Sequence, residues 1–207
     1  MSKTRIAVLV SGGGTNLQAL IDAQNSGKIQ SGEIALVISN KEGAYALTRA
    51  ANAGIPSATI LKKNFASAKE FEEAILLKLR EYGIEMIVLA GFLSILSADF
   101  TSKFPNRILN VHPSLIPAFC GAGFYGLRVH EAALAYGVKV TGATVHYVNE
   151  IPDGGEILLQ KAVKIRRGDT PEILQQRVMK QAEWNLLPRA TELVAKKLKK
   201  ERQGERK

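Results

Sequence analysis

A chain of 207 residues, 46% hydrophobic and 23% charged, has the make-up of one sizeable globular α/β domain or two tightly joined halves. It holds no apolar run of the roughly 18 residues a membrane helix needs, and its first five residues lead straight into a strand pattern without a signal peptide, so a cytoplasmic protein with no membrane partner is expected. The formal charge of +9 invites nucleic acid, but residues 196–207 hold seven of the 28 Lys/Arg against only Glu201 and Glu205; a solvated, partly frayed tail explains most of the basicity, and no nucleic-acid partner is expected. Cys120, the only cysteine, excludes an internal disulfide and any multi-thiolate metal site.

In chain order, residues 5–10 form an aliphatic, β-branched run that stops at Ser11-Gly-Gly-Gly14, and Thr15-Asn16 then opens a helix with Leu17, Leu20 and Ile21 on one face. Residues 33–39 read as a second strand, 44–53 as a second helix closed by Gly54, and 57–61 as a short third strand. Phe71, Ile75 and Leu79 mark the stripe of a longer helix, and 85–90 is the most apolar strand, as expected at a sheet centre covered on both faces. A short helix near 97–104 and a strand at 107–111 follow. This alternation predicts a parallel, Rossmann-like sheet with right-handed crossovers and ligands beyond its C-terminal strand ends. Residues 113–126 are loop-like, 127–136 helical, and 140–148 and 157–165 are strands whose short connection favours antiparallel pairing. Thr170 caps a final helix with Pro171 at its first position. The expected organisation is one domain over 1–195, with a mononucleotide-binding half (1–104) and a catalytic half (105–195), then the tail 196–207.

Three groups carry chemistry. The glycine turn at 11–14 exposes backbone N–H groups at a helix N-terminus, which suits a phosphate. A dinucleotide register fails, because position 17 is Leu17 and Ser39-Asn40-Lys41 offers no acidic ribose ligand; a P-loop fails for want of Gly-Lys-Ser/Thr. A single phosphate at Gly13, Gly14, Thr15 and Asn16 remains, beside the plain reading of a tight turn. Asn110 and His112, two apart at a strand end, point to one side of the backbone and offer an amide donor and an imidazole for oxyanion and proton work. Asp153, before Gly154-Gly155 and 41 residues after His112, is alone a turn former but can supply a carboxylate. His146 is equally a core residue or a site residue, and His130 suits packing or loop anchoring. The three histidines have no metal-ligand spacing, so no metal is expected, and nothing next to Cys120 explains a reactive thiol.

The set S-G-G-G-T-N at 11–16, L-A-G-F at 89–92, N-V-H-P-S-L-I-P at 110–117 and D-G-G at 153–155 resembles the phosphoribosylglycinamide formyltransferases of the formyltransferase superfamily, over residues 5 to 195. The resemblance implies an α/β formyltransferase fold, with antiparallel strands and a long C-terminal helix following the parallel half. It implies transfer of a formyl group from 10-formyltetrahydrofolate to the glycinamide ribonucleotide of purine synthesis, by a monomer or homodimer acting on small molecules. It assigns Asn110, His112 and Asp153 to catalysis, with Asp153 raising the His112 pKa. It assigns Gly13–Asn16, Lys180 and Glu183 to the ribonucleotide, and Leu93, Ser94, Ile95, Leu96, Asn110, Asn149 and Asp153 to the folate. Ser94 and Ala68 stand where many relatives carry arginines near the folate tail. The loop 118–129 is longer than in many relatives and is expected to cover the cleft with Phe119, Phe124 or Tyr125. Rival readings are a formyltetrahydrofolate deformylase, a methionyl-tRNA formyltransferase lacking its usual RNA-binding domain, and a non-enzymatic nucleotide-binding module.

Overall fold

A computed structural model describes residues 2–204. Its centre is one seven-stranded sheet in the order β3-β2-β1-β4-β5-β6-β7. Strands β1 (Thr4–Val10), β2 (Gly32–Ser39), β3 (Ser57–Thr59), β4 (Met86–Leu89) and β5 (Ile108–His112) are parallel, while β6 (Val140–Tyr147) and β7 (Ile157–Lys164) complete the sheet antiparallel. The alternation of side chains along β1 divides the core: Ile6, Val8 and Val10 join one apolar cluster, and Ala7 and Leu9 join the other. Every residue of β4 is buried, as its uniformly apolar sequence requires at the middle of the order. Each such aliphatic side chain contributes about 2 kcal/mol by leaving water.

Helices α1 (Thr15–Asn25), α2 (Tyr45–Asn52), α3 (Ala68–Glu81), α4 (Ala98–Ser102) and α5 (Leu127–Tyr136) follow β1 to β5 in turn. Local chemistry sets their ends. The Ser67 hydroxyl accepts from Glu70 N while the Glu70 carboxylate accepts from Ala66 N, so two otherwise orphaned donors at the start of α3 are satisfied. The expected third strand stops two residues early, at Thr59, because residues 62–64 wind into a 3-10 turn. The sheet runs unbroken across the expected division at 104/105, where β4 pairs directly with β5.

The C-terminal helix differs most from expectation. Thr170 caps α6 (Pro171–Val178) as the sequence predicts, its hydroxyl accepting from Ile173 N. A π-helical turn, Met179–Glu183, then interrupts it before α7 (Trp184–Gly204). Pro188, which has no N–H for the Trp184 carbonyl, lies just beyond. The expected frayed tail is also corrected: α7 continues to Gly204, Leu198 is buried in the core, and Arg202 pairs with Glu85 at 2.9 Å. Residues 205–207 of that tail lie outside the described residues. No helix among the described residues is long and apolar enough to cross a membrane.

Candidate active site

A cleft of about 710 Å³ opens at the C-terminal ends of β1, β4 and β5, and the loops after these strands form its walls. The glycine turn forms one end. Gly14 takes φ +71°, and a Cβ there would stand 2.7 Å from that of Ala46, so both its conformation and the closeness of α2 require glycine. The carbonyls of Gly12 and Gly13 turn back to Ala46 N and Arg49 Nε, at 3.1 and 2.8 Å. The first N–H groups of α1 have no partner within the helix, and Gly12–Asn16 border the cleft, an arrangement that favours an anion. Asn16 Nδ2 donates to Glu183 Oε2 at 2.7 Å. Burial pushes the Glu183 carboxyl up to about 7, against the smaller opposing effect of the Asn16 hydrogen bond.

The other end is built by β5, β6 and the loop before β7. The antiparallel register sets Asn110 opposite His146 and His112 opposite Thr144. Asp153 enters from the 148–156 loop at φ +55°, a conformation uncommon for a residue other than glycine. A Cβ on Gly155 would lie 1.8 Å from the Tyr147 carbonyl, so the loop can hug the end of β6 only with glycine there. The result is a contiguous polar set. His112 Nδ1 lies 3.3 Å from Asp153 Oδ2, and Asn110 Nδ2 lies 3.4 Å from Asp153 Oδ1 and 3.2 Å from His146 Nε2. His146 Nδ1 donates to the Tyr147 carbonyl at 2.7 Å, and its Nε2 also lies 3.5 Å from Asp153 Oδ1. The sequence left His146 undecided because its role depends on strand register, which the two partner strands set jointly.

The loop after β5 closes over this set. The Phe119 carbonyl accepts from His112 Nε2 at 2.8 Å, and Gly121 N donates to Asp153 Oδ2 at 2.9 Å. Phe119 packs edge-on against Phe124 and Tyr136, and residues 121–126, with Phe124 and Tyr125 among them, border the cleft. Burial lowers the His112 pKa by more than the Asp153 charge and the Phe119 carbonyl raise it, and it ends below its ordinary value. Asp153 acts in the expected direction, but the expected net rise is corrected by desolvation beneath this loop. Asp153 itself is raised by burial, its largest single influence, yet His146, Gly121 N–H and His112 together bring it below the ordinary carboxylate value. Burial and the Asp153 charge raise the Cys120 thiol, which argues against a nucleophilic role.

Several expected binding residues fall elsewhere. Leu93, Ser94 and Ile95 border the cleft, Leu93 and Ile95 exposing apolar surface, whereas Leu96 is buried in the core. Ser11 bonds Asn40, Asn40 bonds Ser94, and Leu93 N donates to Ser11, which ties this rim to the glycine turn. Asn149 does not border the cleft; its side chain accepts from Ile151 N and shapes the turn. Lys180 is exposed and also stands off the cleft, because α6 and the π turn present Gln175, Met179 and Glu183 instead. His130, expected to pack or to anchor the loop, is fully buried, and it also lies at the cleft wall.

Comparison with known proteins agrees with this geometry. Residues 4–191 match the family described as Formyl transferase. The chain is 46% identical over 184 residues to phosphoribosylglycinamide formyltransferase of Haemophilus influenzae, covering 89% of this chain and 84% of that one. It is 48% identical over 193 residues to the human trifunctional purine biosynthetic protein adenosine-3, covering 93% of this chain but only 18% of that protein's length. Among solved structures, glycinamide ribonucleotide transformylase 1 of Symbiobacterium toebii superposes with a TM-score of 0.88 at 42% identity, covering 94% of this chain and 88% of that one.

Proposed function

The chain belongs to the formyl transferase family, and from that premise we propose that it transfers the formyl group of 10-formyltetrahydrofolate to the amine of N1-(5-phosphoribosyl)glycinamide, a step of purine biosynthesis. The observation that carries the reading is the meeting of Asn110, His112 and Asp153 in the same cleft as the glycine turn. A phosphate at one end and an acyl-transfer centre at the other suit a phosphorylated amine. The exposed Leu93 and Ile95 rim supports the formyl donor.

The neutral glycinamide amine is itself the nucleophile, so no activated serine or cysteine is needed. It attacks the formyl carbon; the new N–C bond forms as charge develops on the formyl oxygen. Asn110 Nδ2–H and His112 Nε2–H stabilise that oxygen. Asp153 beside Nδ1 holds the ring and favours its cation. Because Nε2 is engaged by the Phe119 carbonyl, the loop withdraws from His112 as substrate enters. Collapse breaks the bond to the folate nitrogen, which takes the proton lost by the amine. Holding the two reactants together contributes several kcal/mol more. Both substrates are water-soluble, and the enzyme would act in the cytoplasm as a monomer or homodimer.

The test follows tetrahydrofolate release with both substrates present. His112→Ala and Asp153→Asn are each expected to lower kcat by about 10² or more. Full activity in both variants would refute the mechanism. Release of tetrahydrofolate by the unaltered protein without the ribonucleotide, at an undiminished rate, would instead make it a deformylase.

A further inference from the structure

His130 has no work in the chemistry above, yet its position is costly. It lies on α5 with no exposed surface, and neither ring nitrogen has a hydrogen-bond partner. A buried polar group left unpaired destabilises the fold, whereas an apolar ring of similar shape would fill the space without that cost. The ring borders the cleft, and α5 packs on α6, which with the π turn after it brings Gln175, Met179 and Glu183 to the same wall. His112 is near enough to act on the ring electrostatically, while Glu183 is bonded to Asn16 of the phosphate turn. Between the phosphate turn and the catalytic pair, the wall therefore carries Glu183 at one side and His130 at the other.

We propose that His130 is a specificity-determining residue that hydrogen-bonds a ribose hydroxyl of the phosphoribosyl substrate. The proposal rests on the reading of the cleft given above. A ligand with its phosphate on the glycine turn and its amine at Asn110 and His112 must lay the sugar along this stretch. A neutral imidazole offers one donor and one acceptor, which a hydroxyl matches and a phosphate, offering acceptors only, does not. The ring has no exposed surface in this closed arrangement, so the wall must open as the substrate enters for a hydroxyl to reach it.

His130→Phe keeps a ring and removes both polar atoms; His130→Asn keeps one donor and one acceptor. The expected result for His130→Phe is a KM for the ribonucleotide raised about ten-fold, an unchanged KM for the formyl donor and an equal or higher Tm. His130→Asn should fall between that variant and the unaltered enzyme. Analogues lacking the 2- or the 3-hydroxyl of the ribose supply the second arm. The unaltered enzyme should bind one of them about ten-fold less well than the full substrate, and His130→Phe should not discriminate against it. If His130→Phe does not fold, the same comparison is made with His130→Asn. A ribonucleotide KM within two-fold of the unaltered value, with the hydroxyl discrimination intact, would overturn the proposal while leaving the formyltransferase reading standing. No turnover of the ribonucleotide by the unaltered enzyme would overturn both.

Discussion

Glu183 shows how one buried side chain couples the site to stability. Its carboxyl titrates near 7 in the folded chain because it is buried, and near the ordinary value of 4.5 when unfolded. The folded state therefore holds this proton more tightly, and the associated stability is complete below about 4.5 and is lost as pH rises through about 7. His130 has the opposite sign: burial, and then the His112 charge, take it to about 4 from 6.5, so stability falls as pH falls through that interval. The two slopes largely cancel near pH 5–6 in the unaltered protein. Glu183→Gln, whose amide can still accept from Asn16, should gain stability relative to it between about 4.5 and 7 and then level off, at about 3 kcal/mol. Urea melts across that range measure the difference, and a difference independent of pH would contradict the assigned shift. At this scale Asn110, His112 and Asp153 were legible because a short motif holds each of them. His146 and His130 were not, because nothing local distinguishes a histidine beside a polar site from one in the core.

At the scale of elements, the loop after β5 has two effects that pull against each other. It buries the polar set, which strengthens every interaction there, yet its Phe119 carbonyl occupies the nitrogen proposed above to bind the formyl oxygen. Phe119 does this from φ +50°, held by its edge-on contacts with Phe124 and Tyr136. Deleting 121–125 should remove both the cover and the Gly121 N–H bond to Asp153. We expect kcat to fall about ten-fold and formyl-donor hydrolysis without transfer to rise; unchanged kcat and KM for both substrates would reject a role for the loop. The loop's composition made it legible as a loop, and its glycines and aromatics as a cover. Its backbone contacts with His112 and Asp153 were not legible, since a carbonyl or N–H leaves no mark on side-chain pattern. The π turn after α6 was hidden in the same way: Leu174, Val178 and Ala182 keep their apolar spacing through it, while Lys180 turns to solvent.

For the whole molecule, the parallel half followed from the alternation of apolar runs and helical stripes, and the antiparallel end from one short connection. The tail did not follow, because its charges dominate its composition while a single apolar residue among them decides its fate. Leu198 continues the face of α7 that Val194 and Ala195 begin, and all three are buried. That face packs against the start of the sheet: Thr4 Oγ1 donates to the Ala195 carbonyl at 2.9 Å, and Arg202 reaches Glu85 and Thr4. The last turns of α7 thus clamp β1 to the loop before β4, at the edge of the molecule opposite the cleft. Ending the chain after Ala195 would remove the Leu198 burial, about 2 kcal/mol, and the half-exposed Arg202–Glu85 pair, which adds at most about 1 kcal/mol. The shortened chain should lose about 2–3 kcal/mol in urea denaturation, with its Tm lowered by about 4–12 °C. Leu198→Ala alone should account for most of that loss, while the smaller cost of Arg202→Ala should shrink as salt rises. A shortened chain as stable as the full one would return the tail to the role its charge suggested, a solvated appendage with no part in the fold.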